Sequence, residues 1–400
     1  MVDYAEKDGK LYSDRLPGNA FLLIPFFLFG NFLQLIHLDN LSAHLPIQEV
    51  TVILLPNICG VLGALFLFLL FMHFEFSFKR SLILSLLFAT CTLNWQEATH
   101  VFSHAPSMCF VLMAIYFLIK TPGLNHKHFY LFVFLMAYSS IIELQNCLLF
   151  APALVYLIQT KKLILFPFSK NRKAIGISML IITLTFSVLL AYNYAAFGEL
   201  TLKSNKYNPA FPEEKEFITS LSGNFLNGLD RLFTNFSNPE FWFNLEQGVK
   251  NDIPGLFVSS PILLLSFVGF TIFFSRKPKE ALLFASIIII NVLIAAFHKT
   301  VLIRHIFTIT PFFFFPLIYT VQYVYEKRSA LFSGLFYVVT ALLGIISCYR
   351  VYYVTHSYWG RELTNPFPFT KELGVYFSFI VFISILTLLY VKLRPRFLKN

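Results

Sequence analysis

The sequence predicts an all-α polytopic helical membrane protein with about 11–12 transmembrane helices, and three observations carry that prediction. Hydrophobic residues make up 57% of the 400, charged residues only 13%, and the mean hydropathy is +0.68. A soluble domain carries roughly 25% charged residues, so a water-soluble fold could not cover this core. The apolar residues, 50 phenylalanines among them, gather in solid blocks separated by short charged loops. About 20 such residues, rising 1.5 Å each, cross the hydrocarbon layer. Backbone groups facing lipid must be satisfied within their own segment, and solid runs without alternation exclude a barrel.

In chain order the blocks fall at 19–38, 48–73, 81–94, 105–119, 129–142, 145–158, 174–196, 254–274, 281–297, 306–325, 330–352 and 373–391. The first is interrupted by Pro25, Gly30, Asn31 and Gln34 and is either a span or a juxtamembrane helix lying along the outer interface. In the second case residues 1–18 are an outer-face loop, and an upstream span is expected before Met1 to carry them across. Residues 39–197 and 254–400 are helical bundle, and 198–253 form an extracytoplasmic amphipathic segment. There, aromatics such as Phe225, Phe233 and Phe236 are expected to lie flat on the membrane. Cys59, Cys91, Cys109, Cys147 and Cys348 all sit inside apolar blocks, as small buried side chains rather than a disulfide framework.

Lysine and arginine orient the bundle, because short cytoplasmic loops collect positive charge. Alternate loops after the second block hold 18 of the 31 basic residues but only three of the 21 acids. That set is cytoplasmic on this reading, and so is the C-terminus. The net charge of +10 then reflects topology, and no basic groove or motif points to nucleic acid. The outer side owns the chemically richer loops at 1–18, 95–104, 197–253, 298–305 and 353–372.

Those loops carry a resemblance. Asp8-Gly9-Lys10-Leu11-Tyr12-Ser13-Asp14-Arg15-Leu16-Pro17-Gly18 resembles the D-G-x-x-Y-S-D-K-x-P-G segment of bacterial membrane glycosyltransferases of the GT-C class, the type of protein O-mannosyltransferases and aminoarabinose transferases. Thr99 to His104, Tyr192 to Gly198, Gly255 to Pro261 and Arg304-His305 follow in matching order, so the similarity extends to about residue 325. Arg15 stands where the family has lysine, trading a compact ammonium for a planar fork. The family also begins with a transmembrane helix and an acidic external loop that precede this motif.

The resemblance implies sugar transfer from a polyprenyl-phosphate donor to a glycan, lipid or protein acceptor at the outer face of the cytoplasmic membrane. That chemistry needs a carboxylate for the acceptor's proton, positive charge or a divalent cation (Mg or Mn) for the leaving phosphate, and a lipid groove. Asp14 and Asp8 are the catalytic candidates of the motif, with Arg15 and Tyr12 beside the donor. Glu97, His100 and His104, at spacings of three and four, can share a helical face and hold a phosphate or a metal, the latter with Asp14 and His104 as possible ligands. Glu143 is a substrate-facing or an interfacial acid; Arg304 and His305 offer positive charge close to lipid. Ordinary solvated or snorkelling roles account equally for isolated charges of this kind. Two other functions fit the composition: a non-enzymatic flippase or polysaccharide transporter, which would place polar groups at mid-depth, and an inactive transferase remnant.

Overall fold

The computed structural model describes residues 4–13, 15–38, 46–160, 171–202, 207–208, 223–238, 254–298, 303–327 and 330–357. Six helical segments among them are long and apolar enough to cross a membrane: Pro17–Leu35, Ile47–His73, Arg172–Phe197, Pro278–Phe297, Arg304–Glu326 and Ser333–Tyr352. Shorter apolar helices run over His104–Lys120, Lys127–Ile142, Leu144–Gln159 and Pro261–Arg276, and a further helix over Phe78–Cys91. These segments coincide with the first eleven apolar blocks; the twelfth, 373–391, lies outside the described residues. The protein is a multi-pass helical membrane protein.

Its two ends differ chemically. At one end Arg276 pairs with Glu326 at 2.8 Å, the Arg80 guanidinium sits 4.1 Å from the centre of the Tyr325 ring, and Tyr156 donates to Glu280 at 3.3 Å. Three of the basic loops that sequence alone assigned to a common side, those at Arg80, Arg276 and Glu326, therefore meet. The opposite end carries the start of Ile47–His73, the end of Lys127–Ile142 and the end of Arg172–Phe197.

Helix α1 (Pro17–Leu35) runs across this second end. Gly18 lies against the Ile141 backbone, and its carbonyl accepts the Tyr138 hydroxyl at 3.1 Å. Phe21 meets Tyr192 edge-on at 6.2 Å. Farther along, Gly30 sits on Gln48 and Thr51, and the Gln48 amide donates to Asn31 and Gln34 at 3.0 and 2.6 Å. Both halves of α1 thus touch the tips of other helices at one level. Length and composition would let it span, and its contacts are with the ends of other helices.

Residues 4–13 are not a loop, as the sequence reading expected, but a hairpin of β1 (Tyr4–Lys7) and β2 (Lys10–Ser13), paired Tyr4 with Ser13 through Lys7 with Lys10. The turn is Asp8-Gly9 with φ of 52° and 74°, the doubly left-handed geometry that an Asp-Gly pair favours because it matches strand twist. Among the described residues the all-α class therefore carries one small β element. The segment around Phe225 is amphipathic. One face of it packs on the bundle: Phe225 stacks on Phe297 at 4.9 Å, Phe233 on Phe257 at 5.2 Å, and Leu232 is fully buried, while Leu226 and Phe236 stay exposed.

Phenylalanine fills the bundle. Phe284 and Phe315 approach to 4.4 Å between ring centres, Phe273 and Tyr319 to 4.9 Å, and Phe71 and Phe315 to 5.1 Å. In lipid the hydrophobic effect does not drive helices together, so close dispersion contact and ring geometry do.

The cysteines are free but not scattered. Helices Phe78–Cys91 and Ala330–Ser357 run side by side with Gly344 against Leu87, then Cys91 beside Cys348, then Trp95 against Tyr352 at 6.0 Å. Cys59 and Cys109 form a second pair, buried to 3% and 1% exposure, whereas Cys348 is partly accessible. Mild copper-catalysed oxidation should cross-link Cys91 to Cys348 before Cys59 to Cys109. Peptide mapping checks this, and preferential formation of the inner pair would contradict the packing.

Candidate functional site

The site forms where two helices break. Pro106 sits in the first turn of α6 (His104–Lys120), where its missing N–H and fixed φ are tolerated; one turn deeper it would clash with the carbonyl four residues back. The chain accordingly ends α5 (Asn94–Ala98) and turns through 99–103 before α6 begins. Glu97, His100 and His104 therefore do not share a helical face, which corrects the expectation from their spacing. His100 turns its Nδ1 to the Gln96 carbonyl at 2.7 Å.

The second break is at Glu143, which leaves α7 (Lys127–Ile142) with extended φ and ψ of −140° and 112° before the tight turn Leu144–Leu149. This swings its carboxylate onto the N-terminus of α6. Ser103 donates to Oε1 at 3.0 Å, His104 Nδ1 meets Oε1 at 2.6 Å, and Ser107 donates to Oε2 at 2.8 Å. Asn146 donates to the Ser107 hydroxyl at 2.8 Å and to the Ser139 carbonyl at 3.1 Å. Both ring and carboxylate are only 12% exposed, and the positive end of the α6 dipole adds to the attraction. Burial alone would raise the Glu143 pKa, but the charge and hydrogen bond of His104, with those of Ser107 and Ser103, bring it below the ordinary glutamate value.

Glu97 is the opposite case. Its side chain is 2% exposed and Oε2 has no hydrogen-bond partner among the described residues. Burial pushes its pKa up, against the pull of His104 and Arg304 and with a further push from Glu143. Two neighbouring carboxyls are thus driven apart, one toward the neutral and one toward the ionised form. A division of this kind is what separates acid from base in enzymes that use two carboxyls.

Basic groups close the other side. The Arg304 guanidinium lies 5.1 Å from the centre of the Phe102 ring, which in turn stacks on His100 at 5.8 Å. The His305 ring is 6.4 Å from that of His104 and 5.3 Å from that of His298, and Gln145 donates to the His305 carbonyl at 3.3 Å. Arg15, exposed beyond β2, is close enough for its charge to act on His305.

The structure therefore gathers Glu97, His100, His104, Glu143, Arg304, His305 and Arg15 at one end of the bundle. Asp8 and Tyr12 lie elsewhere, in a cleft beside the end of Arg172–Phe197. Asp14 lies outside the described residues. Sequence reasoning passed over Ser103, Ser107, Asn146 and His298; the available signal was Ser103, His104 and Ser107 recurring on one face at the start of a helix. No group of three or more His, Cys, Asp or Glu among the described residues is arranged to hold a metal. Their donor set also fits Mg or Mn poorly, since the Glu143 carboxylate is engaged by three donors and Glu97 is held toward its neutral form.

Fold and site together define a class: a multi-pass helical membrane protein with a buried carboxylate–histidine pair at one end, facing basic groups. No known protein family, curated protein or solved structure matches the chain.

Proposed function

We propose that the protein is a membrane glycosyltransferase that moves a sugar from a polyprenyl-phosphate donor to an acceptor at the outer face, with its C-terminus cytoplasmic. The observation that carries the reading is the His104–Glu143 pair facing Arg304 and His305. Glu143 holds the imidazole with Nδ1–H toward the carboxylate, leaving Nε2 as the proton acceptor. In the proposed step an acceptor hydroxyl loses its proton to His104 Nε2 as its oxygen bonds to the anomeric carbon. The bond from that carbon to phosphate oxygen breaks, and polyprenyl phosphate leaves with both electrons. On this reading Arg304 and Arg15 take the charge growing on that phosphate, and Glu97, whose burial favours the protonated form, is a proton source beside it. The apolar bundle beneath supports a place for the lipid tail.

Full-length protein in lipid nanodiscs, given labelled polyprenyl-phosphate sugars and a membrane extract as acceptor, should cleave the donor and retain the label on an acceptor. His104→Ala should abolish cleavage. Equal cleavage by His104→Ala and the parent protein would remove the site assignment. Movement of intact donor between leaflets without cleavage would instead favour the flippase reading.

A further inference from the structure

We propose that the cleft between the β1–β2 hairpin and the end of helix Arg172–Phe197 binds a neutral saccharide. If the protein is the glycosyltransferase proposed above, this cleft is its acceptor subsite. The cleft has a volume of 480 Å³, within the range of about 300–1,000 Å³ for small-molecule sites. Its walls are fixed by local geometry. The left-handed Asp8-Gly9 turn forms one, and Gly198, at φ of 71°, ends the helix that forms the other.

The lining chemistry selects the ligand. Tyr12 packs edge-on against Phe197 at 5.3 Å, and Phe197 stacks on Tyr207 at 4.7 Å, so the Tyr12 ring is braced from behind. Tyr194 presents an unburied ring, 61% exposed, from the same wall. Aromatic faces of this kind accept the C–H faces of sugar rings. Around them stand two ammonium groups, Lys7 and Lys10, and two carboxylates, Asp8 and Glu199. A phosphate or polyanion would meet the carboxylates as well as the lysines. Sugar hydroxyls donate to one set and accept from the other, so the balanced lining favours a neutral glycan. The Glu143 end, with Arg304 and Arg15, has the complementary bias toward phosphate.

Position agrees with chemistry. Helix Arg172–Phe197 has 26 residues. At a rise of 1.5 Å each it is about 39 Å long, more than the roughly 30 Å hydrocarbon layer, so its end stands among headgroups and water. The strand that carries Tyr12 leads within three residues to Arg15, whose backbone N–H is held by the Ser13 hydroxyl at 3.2 Å and whose charge reaches His305. A saccharide seated on Tyr12 is thereby joined through one short stretch of chain to the group proposed to face the donor phosphate.

The test is saturation-transfer NMR on the full chain in nanodiscs, with maltose and N,N′-diacetylchitobiose as probes and inorganic phosphate as competitor. At least one disaccharide should receive saturation above empty nanodiscs. Phosphate should not displace it, and Tyr194→Ala and Lys10→Gln, both exposed substitutions, should each weaken it about fivefold, as loss of one stacking or charge-assisted contact would. No signal from either sugar, displacement by phosphate, or unchanged binding in both variants would overturn the proposal. Binding with no donor cleavage by the same preparation would leave the cleft standing and count against the transferase alone. Cleavage without binding would do the reverse.

Discussion

Glu143→Gln is expected to reduce the proposed sugar transfer by about 10⁴-fold, the effect of placing an amide where a carboxylate orients a catalytic imidazole. The amide is isosteric and still accepts from Ser103 or Ser107, so the break at the end of α7 should survive. What changes is the proton on His104. An NH₂ group facing Nδ1 turns that nitrogen into an acceptor and moves the ring proton to Nε2, where it blocks the acceptor hydroxyl. Single-turnover donor cleavage measures this. Retention of more than about a tenth of the parent rate, a loss well below the roughly 10²–10⁴-fold that general-base catalysis contributes, would remove Glu143 from the mechanism.

The same two carboxyls make stability depend on pH in opposite directions. Glu143 is held below the ordinary value of 4.5, so its contribution is present above pH 4.5 and is lost as pH falls through its folded value. Glu97 is held above 4.5 and keeps its proton in the folded state longer than in the unfolded one. Its term therefore weakens the fold as pH rises from 4.5 through its folded value. Glu97→Gln should flatten that alkaline decline in a thermal-unfolding series between pH 4 and 8, and an unchanged slope would show that Glu97 is not the group responsible.

The largest expected loss of stability is at Gly269. A Cβ there would run into the Pro316 carbonyl oxygen and stand 2.5 Å from the Thr320 hydroxyl. Pro316 lies inside helix Thr310–Lys327, and its carbonyl already accepts Thr320 Oγ1 at 3.2 Å, so the obstacle is backbone that cannot rotate away. Gly269→Val must push two tightly packed helices apart, at about 3 kcal/mol or more. Gly176→Ala is the control: it lies within Arg172–Phe197 with nothing within 4 Å of an added Cβ. It should be neutral or stabilising by up to about 1 kcal/mol, because alanine loses less backbone entropy in a helix. Thermal unfolding in detergent separates the two, and similar midpoints for both variants would deny the close Gly269–Pro316 approach.

Much of the bundle was legible in the sequence because its information is local. An apolar block needs no partner to be recognised, and eleven blocks coincide with helical segments. The hairpin was equally local, since Asp8-Gly9 between short strands is a turn signal; it was hidden by reading Asp8 for its carboxylate. Glu97, His104, Glu143, Arg304 and His305 were each picked out by charge next to apolar sequence. Their grouping was not legible, because Glu143 and His104 are 39 residues apart and meet through two helix breaks. The spacing of Glu97, His100 and His104 misled for the same reason: the effect of Pro106 on the turn before it decides whether a helical period continues.

The sequence by itself determined that this chain is a helical membrane protein, which loops share a sign of charge, and which few polar residues stand beside its apolar blocks. All of these follow from what a segment of lipid-facing backbone will tolerate. The tertiary structure alone decided that α1 crosses the tips of other helices, that Asp8 and Tyr12 belong to a different pocket from Glu143, and that Glu97 and Glu143 take opposite protonation tendencies. Those depend on which groups burial brings within a few ångströms, and the energy of a charge in that setting is set by neighbours that no local stretch of sequence contains.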